Sequence, residues 1–387
     1  MSNTRSEDEH GDTSGKASRA SLGRNTFRRI TIRCRAMTSL FGNHSTNETG
    51  GQWRCRFKED FKYILLPVSY TLVFVIGLAL NCTAMYVILF RTKRWKPSTV
   101  YMFNLTACDL LYVFTLPFLI YYYADKNDWP FGEPFCKLIR YLFYANLYGS
   151  VMFLCCISLH RFLGVCYPVQ SLSWVTARRA RMVSCAVWVF VLLCLAPILY
   201  FARTKDEGSE KVCFDTTSPE LFNDFLVYSS AVSVLLFVVP FVVVMVCYGL
   251  MVRKLLKPGW GATDNRASCG VGGLASLRSK QKSVKMIVIV LSAFMLCFLP
   301  FHITRSLSYS LRFLEQIDPS QVNCELLKAS SMAYTVTRPL ASANSCVDPI
   351  LYFMAGQGFR RNLTMGKKSS PRKSESMTVA LSTVSHL

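Results

Sequence analysis

Acidic side chains are scarce in this chain: 23 Asp and Glu stand against 44 Lys and Arg, a formal net charge of +21 over 387 residues. Such an excess suggests a nucleic-acid partner, but the bases lie in short stretches between apolar runs and form no continuous face, so nucleic acid is excluded. Charge of either sign is thin, at 17% of residues against 51% hydrophobic, which does not fit a water-soluble globule of this length. Histidine is rarer still, with five in all, and no metal-spaced pair occurs among them. Gly-rich phosphate loops and nucleophile elbows are also lacking, so the chain offers no enzyme active site and no metal site. Sixteen cysteines include no Cys-x-x-Cys, and most sit inside apolar runs, where they are inert thiols rather than zinc ligands. The polar first 36 residues hold no apolar leader, which leaves membrane targeting to the first apolar segment.

What is present is a series of seven apolar segments, each long enough to span a bilayer: Tyr63–Phe90, Thr99–Ala124, Phe135–Val165, Ala180–Phe201, Phe225–Val252, Val284–Leu311 and Leu326–Met354. The predicted fold is an all-α membrane protein, a seven-helix bundle over residues 63–354. Residues 1–62 form an extracellular disordered N-terminus. Residues 355–387 form a cytoplasmic tail that opens with a short amphipathic helix, GQGFRRNL, against membrane lipid. Basic residues mark the first, third and fifth connections as cytoplasmic: Arg91, Lys93, Arg94 and Lys96, then Arg178, Arg179 and Arg181, then Arg253 through Lys285. Asn43 and Asn47 begin glycosylation sequons on the outer side. The basic stretch from Arg19 to Arg35 sits poorly there, which points to Met37 as an alternative start. The final Ser385-His386-Leu387 has the Ser/Thr-x-apolar ending that PDZ domains take by strand addition.

The organising stretch is CKLIRYLFYANLYGSVMFLCCISLHR, Cys136 to Arg161. As a helix it carries Arg140 and Arg161 about 32 Å apart, one for each side of the membrane. An ionisable residue near mid-membrane costs about 2.5 to 3.5 kcal/mol and must face the bundle. Asn81, Asp109, Asn344 and Asp348 qualify, and together they predict a polar network able to hold Na+ near Asp109. Pro117, Pro197, Pro240, Pro300 and Pro349 are expected to interrupt five spans. Arg140, Arg305 and Arg338 fall in the outer thirds of the third, sixth and seventh spans. With Tyr144 and His302 one turn deeper they predict an anion site, better suited to a polyphosphate than to one carboxylate. Four cysteines lie outside the spans on the oxidising side, Cys55, Cys136, Cys213 and Cys324, and allow three pairings.

Asn81 in GLALN, Asp109 in LTACD, Arg161 in HRF, Trp188, Pro240, FLPF from Phe298 and DPILY from Asp348 occur in order, one per helix. In these marks the chain resembles the rhodopsin-like G-protein-coupled receptors. The resemblance implies that Arg161 anchors the inactive state and meets a heterotrimeric G protein, with Tyr248 and Tyr352 holding it in the active state. It also implies arrestin and kinases at the tail. His160 replaces the usual acidic neighbour of Arg161, which puts a carboxylate lock in doubt. KYILLPVSY, LIYYYA, WPFG, CKLIRYLFY, CFDTTSPELF, PFHITRSLSYS and YTVTRPLASANSCVDPILY further resemble the purinergic nucleotide receptors, nearest the group answering to uridine and adenosine triphosphates. That resemblance implies pairings of Cys136 with Cys213 and Cys55 with Cys324. It also implies that Arg140, His302, Arg305 and Arg338 line a nucleotide site, with Asp215 shaping the outer loop over it, and signalling at the plasma membrane through Gq and phospholipase C. Relatives commonly have lysine where this chain has Thr335. The alternatives are a receptor for a lipid or carboxylate mediator, for which two arginines suffice, and an organic-anion transporter, against which the absence of inverted repeats argues.

Overall fold

A computed structural model describes Cys55 and residues 59–207, 210–214, 217, 219–256, 284–285, 287–320 and 322–355. Seven long helices run through these residues. Six are long and apolar enough to cross a membrane: Lys62–Arg91, Pro97–Ala124, Glu133–Cys166, Ala177–Phe201, Phe222–Leu256 and Ile287–Ile317. The seventh, Cys324–Ala355, is as long as the others but more polar than the predicted apolar segment implied. Its inward face explains the difference: Arg338, Ser342, Asn344, Ser345 and Asp348 are all buried against other helices. The predicted amphipathic helix, the two sequons and the last residues lie outside the described residues.

The third helix occupies the centre, packing against the second, fourth and fifth, while the first lies against the second and seventh and the sixth against the seventh. Having no internal proline after its first turn, it runs unbroken for 34 residues. The second helix is divided between Val113 and Leu116 just ahead of Pro117, and the fourth between Leu195 and Ile198 at Pro197. Pro240 and Pro300 each follow a π-helical turn, Val234–Val238 and Phe294–Phe298, where the widened turn makes room for a ring that cannot donate to the preceding carbonyls.

Pro349 departs from expectation, since the seventh helix continues through it and through Pro339. Proline at 349 deprives the Ser345 carbonyl of its intrahelical donor, and the Asn81 carboxamide donates to that oxygen at 2.7 Å instead. A side chain of the first helix thus completes the seventh, the kind of substitution that lets proline persist in a membrane bundle.

At the end bearing the outer cysteines, Thr204–Glu207 (β1) and Glu210–Cys213 (β2) form an antiparallel hairpin with Thr204 opposite Cys213. Cys213 is bonded to Cys136 on the third helix, and Cys55 to Cys324 at the start of the seventh, with Cα separations of 5.9 and 5.5 Å. Of the three possible pairings, these are the two the resemblance implied. The hairpin is also held from below: the Trp129 N–H donates to the Lys211 carbonyl at 2.8 Å, and the Lys211 N–H to Asp128 at 3.0 Å. Trp129 is fully buried and its indole N–H donates to the Gly132 carbonyl at 2.8 Å. Gly132 has φ +79°, a backbone setting that favours glycine, and it turns the chain into the third helix. The segment ahead of the first helix is clamped as well, the Cys55 N–H donating to the buried Glu315 carboxylate at 2.7 Å beside its ion pair with Arg312.

Candidate functional site

Arg140, Arg305 and Arg338 are 4%, 4% and 7% exposed, so none of them snorkels to a lipid headgroup. Arg140 donates to the Cys213 carbonyl at 3.1 Å, and the Tyr122 hydroxyl donates to the same oxygen at 3.1 Å. The disulfide that fixes Cys213 therefore also presents its carbonyl to the third helix. Arg305 donates to the Tyr148 hydroxyl at 3.1 Å and to Ser229 at 2.8 Å, while its guanidinium lies 4.9 Å from the Tyr144 ring centre and 5.3 Å from that of Tyr309. Arg338 donates to the Tyr123 hydroxyl at 2.7 Å and faces the rings of Tyr123 and Tyr334 at 5.4 and 5.9 Å.

Rings join Arg305 and Arg338, and Arg140 meets the same lattice through the Cys213 carbonyl it shares with Tyr122, whose ring lies 4.9 Å from that of Tyr123. Tyr334 meets Tyr309 at 5.9 Å and Phe301 at 5.7 Å, Phe301 meets Phe143, and Phe143 meets Tyr144 at 5.1 Å. Positive charge is thus set into an electron-rich aromatic lattice, each cation–ring contact contributing about 0.5 to 2 kcal/mol. His302 lies deeper, stacked at 3.9 Å on Phe237 of the fifth helix, with both ring nitrogens buried and without hydrogen-bond partners. One face of the predicted base-stacking group is therefore already covered. Asp215 lies outside the described residues.

Sequence reasoning missed Tyr123, Tyr148, Ser229, Tyr309 and Tyr334. A signal for three of them was present, because Tyr144 and Tyr148, Arg305 and Tyr309, and Tyr334 and Arg338 are each four residues apart, one helical turn.

A second polar cluster lies deeper in the bundle. Asn146 donates to Asp109 at 3.0 Å and Asn344 to Asp348 at 2.9 Å, and all four side chains are buried. Asp109, Asn344, Asp348 and Asn81, the predicted network, thus share the interior with Asn146, which the sequence reading omitted. One oxygen each of Asn81, Asp109, Asn344 and Asp348, and the Ser345 hydroxyl, has no hydrogen-bond partner despite burial. No group of three His, Cys, Asp or Glu side chains with metal-ligand geometry occurs among the described residues.

The profile of the 7 transmembrane receptor (rhodopsin family) matches residues 80–352. The chain belongs to that family. Purinoceptor 2 of Homo sapiens is 56% identical over 319 residues, which cover 82% of this chain and 80% of the relative. Purinoceptor 2 of Mus musculus is 53% identical over 320 residues, 83% of this chain and 81% of the relative. Purinoceptor 4 of Rattus norvegicus is 45% identical over 344 residues, 88% and 90% of the two chains. Within the rhodopsin family the receptor therefore falls in the group of these purinoceptors, a multi-pass signalling protein and not an enzyme.

At the far end of the receptor's third helix, His160 fills the place of the acidic neighbour and its Nε2 is 3.1 Å from the Ser98 hydroxyl at the start of the second helix. Arg161 makes no hydrogen bond or ion pair among the described residues, and its Nε is buried without a partner. The Tyr248 hydroxyl pairs with Ser158 at 2.7 Å, one turn before Arg161, rather than with the arginine itself. Tyr352 falls within the seventh helix, and its side chain is outside the description.

Proposed function

We propose that the receptor answers to extracellular nucleoside triphosphates, uridine and adenosine triphosphate or close analogues, and activates a heterotrimeric G protein of the Gq kind, with phospholipase C and calcium release downstream. The carrying observation is that buried guanidinium groups come from three helices, Arg305 and Arg338 within one aromatic lattice and Arg140 against the disulfide-anchored Cys213 carbonyl that covers it. A polyphosphate supplies enough oxygens to engage all three forks, and the tyrosines offer faces for a base. A single carboxylate satisfies one fork and leaves two.

Agonist must favour the signalling conformation by differential affinity, since equal affinity for both states shifts nothing. Phosphates drawing the sixth and seventh helices toward the third supply that difference, and Arg161, paired with no carboxylate among the described residues, is the group presented to the G protein. The N-terminus faces outward at the plasma membrane in this reading. The inner cluster suits a sodium ion, a hard cation able to satisfy the oxygens of Asp109, Asp348, Asn81 and Asn344 that meet no donor. Calcium release in receptor-null cells expressing the chain tests the proposal, using uridine triphosphate, adenosine triphosphate, uridine diphosphate and a panel of carboxylates. Responses to nucleotides alone are expected, and a response confined to carboxylates would overturn it.

A further inference from the structure

Glu59, half-buried just ahead of the first helix, places its carboxylate against the seventh. Its two oxygens accept from hydroxyls one turn apart, Ser331 at 2.6 Å and Thr335 at 3.4 Å. Thr335 is 4% exposed. Arg338 follows three residues later, on the same side of the helix and roughly 4.5 Å along its axis. A carboxylate is thereby held against the seventh helix within one turn of the backbone position of Arg338. No cation pairs with it among the described residues. Lys62, three residues on, has its ammonium 5.2 Å from the Tyr63 ring centre instead, and Arg56 and Lys58 lie outside the described residues. The two hydroxyls orient the carboxylate of Glu59 against the seventh helix and carry no charge of their own.

We infer that Glu59 is a specificity-determining residue that limits the negative charge of the accepted ligand, narrowing the advantage of nucleoside triphosphates over diphosphates. The inference rests on the nucleotide reading above. One unit of ligand charge facing such a carboxylate is worth on the order of 1 kcal/mol, about a fivefold change in an equilibrium. The additional phosphate of a triphosphate brings about one such charge, and a diphosphate lacks it.

The test is calcium release from the full-length receptor at matched surface density, with uridine triphosphate and uridine diphosphate titrated in parallel. Glu59→Gln keeps an oxygen for the Ser331 or Thr335 hydroxyl and removes the charge. It is expected to lower the half-maximal concentration of both nucleotides, that of the triphosphate about fivefold further than that of the diphosphate. Glu59→Asp, which keeps the charge, is expected to retain the wild-type ratio of the two, and Thr335→Lys, which sets a cation beside Glu59, to move the ratio as Glu59→Gln does. An equal shift for both nucleotides in Glu59→Gln, or an unmoved ratio, marks a purely structural contact and overturns the inference. If Arg305→Ala weakens both nucleotides while that ratio stays fixed, this inference alone fails. A wild-type receptor answering neither nucleotide removes both readings.

Discussion

The two polar clusters inside this bundle solve opposite electrostatic problems with different materials. The outer one holds three guanidinium groups among tyrosine and phenylalanine rings, hydroxyls and a backbone carbonyl. The inner one holds two carboxylates among carboxamides, with several oxygens left unmet. Aromatic faces stabilise cations diffusely, whereas amides satisfy carboxylates one oxygen at a time.

The largest expected effect separates the outer cluster from its cover. Replacing Cys136 by serine frees the hairpin and the Cys213 carbonyl that Arg140 grips, and it should abolish the nucleotide response in a calcium assay. Thermal unfolding in detergent should show a loss of about 2 to 5 kcal/mol, typical of a structural disulfide. Arg305→Ala comes next, raising the nucleotide concentration for half-maximal calcium release tenfold or more, at about 1.4 kcal/mol per decade. An unchanged dose response at normal surface density would take Arg305 out of the site.

Asp109→Asn should act on the inner cluster only. Agonist affinity measured with sodium and with a large organic cation in the buffer is expected to differ severalfold in the wild type and to coincide in the variant, with the order of nucleotides preserved. A change in that order would mean the two clusters are not separate. The smallest effect is expected at the far end, where Ser98→Ala removes the partner of His160. Ligand-free signalling should change by less than about threefold, the scale of one neutral hydrogen bond of roughly 0.5 kcal/mol. A much larger change would make that contact the lock the missing carboxylate does not provide.

Much of this was legible from spacing and chemistry. Asp109 and Asp348 had to face inward because lipid cannot solvate them, and Arg140, Arg305 and Arg338 shared a depth that a helical rise alone assigns. The seventh helix lies where its segment was expected, but its buried arginine, asparagine and serines make it more polar than the other six. Pro349 misled for a related reason, since its effect depended on whether another helix could supply a donor.

The chain's own order of residues determined seven helical segments, their alternating direction, the excess of base at one end and the depth of each buried charge, all properties of local composition and a fixed rise per residue. Only the folded bundle decided that Asn81 meets Ser345, 264 residues away, that Arg338 rests on Tyr123 and that Glu59 reaches Thr335. Those partners are joined by packing between helices, whose rotations are set by the whole interior at once and leave no periodic trace along the chain.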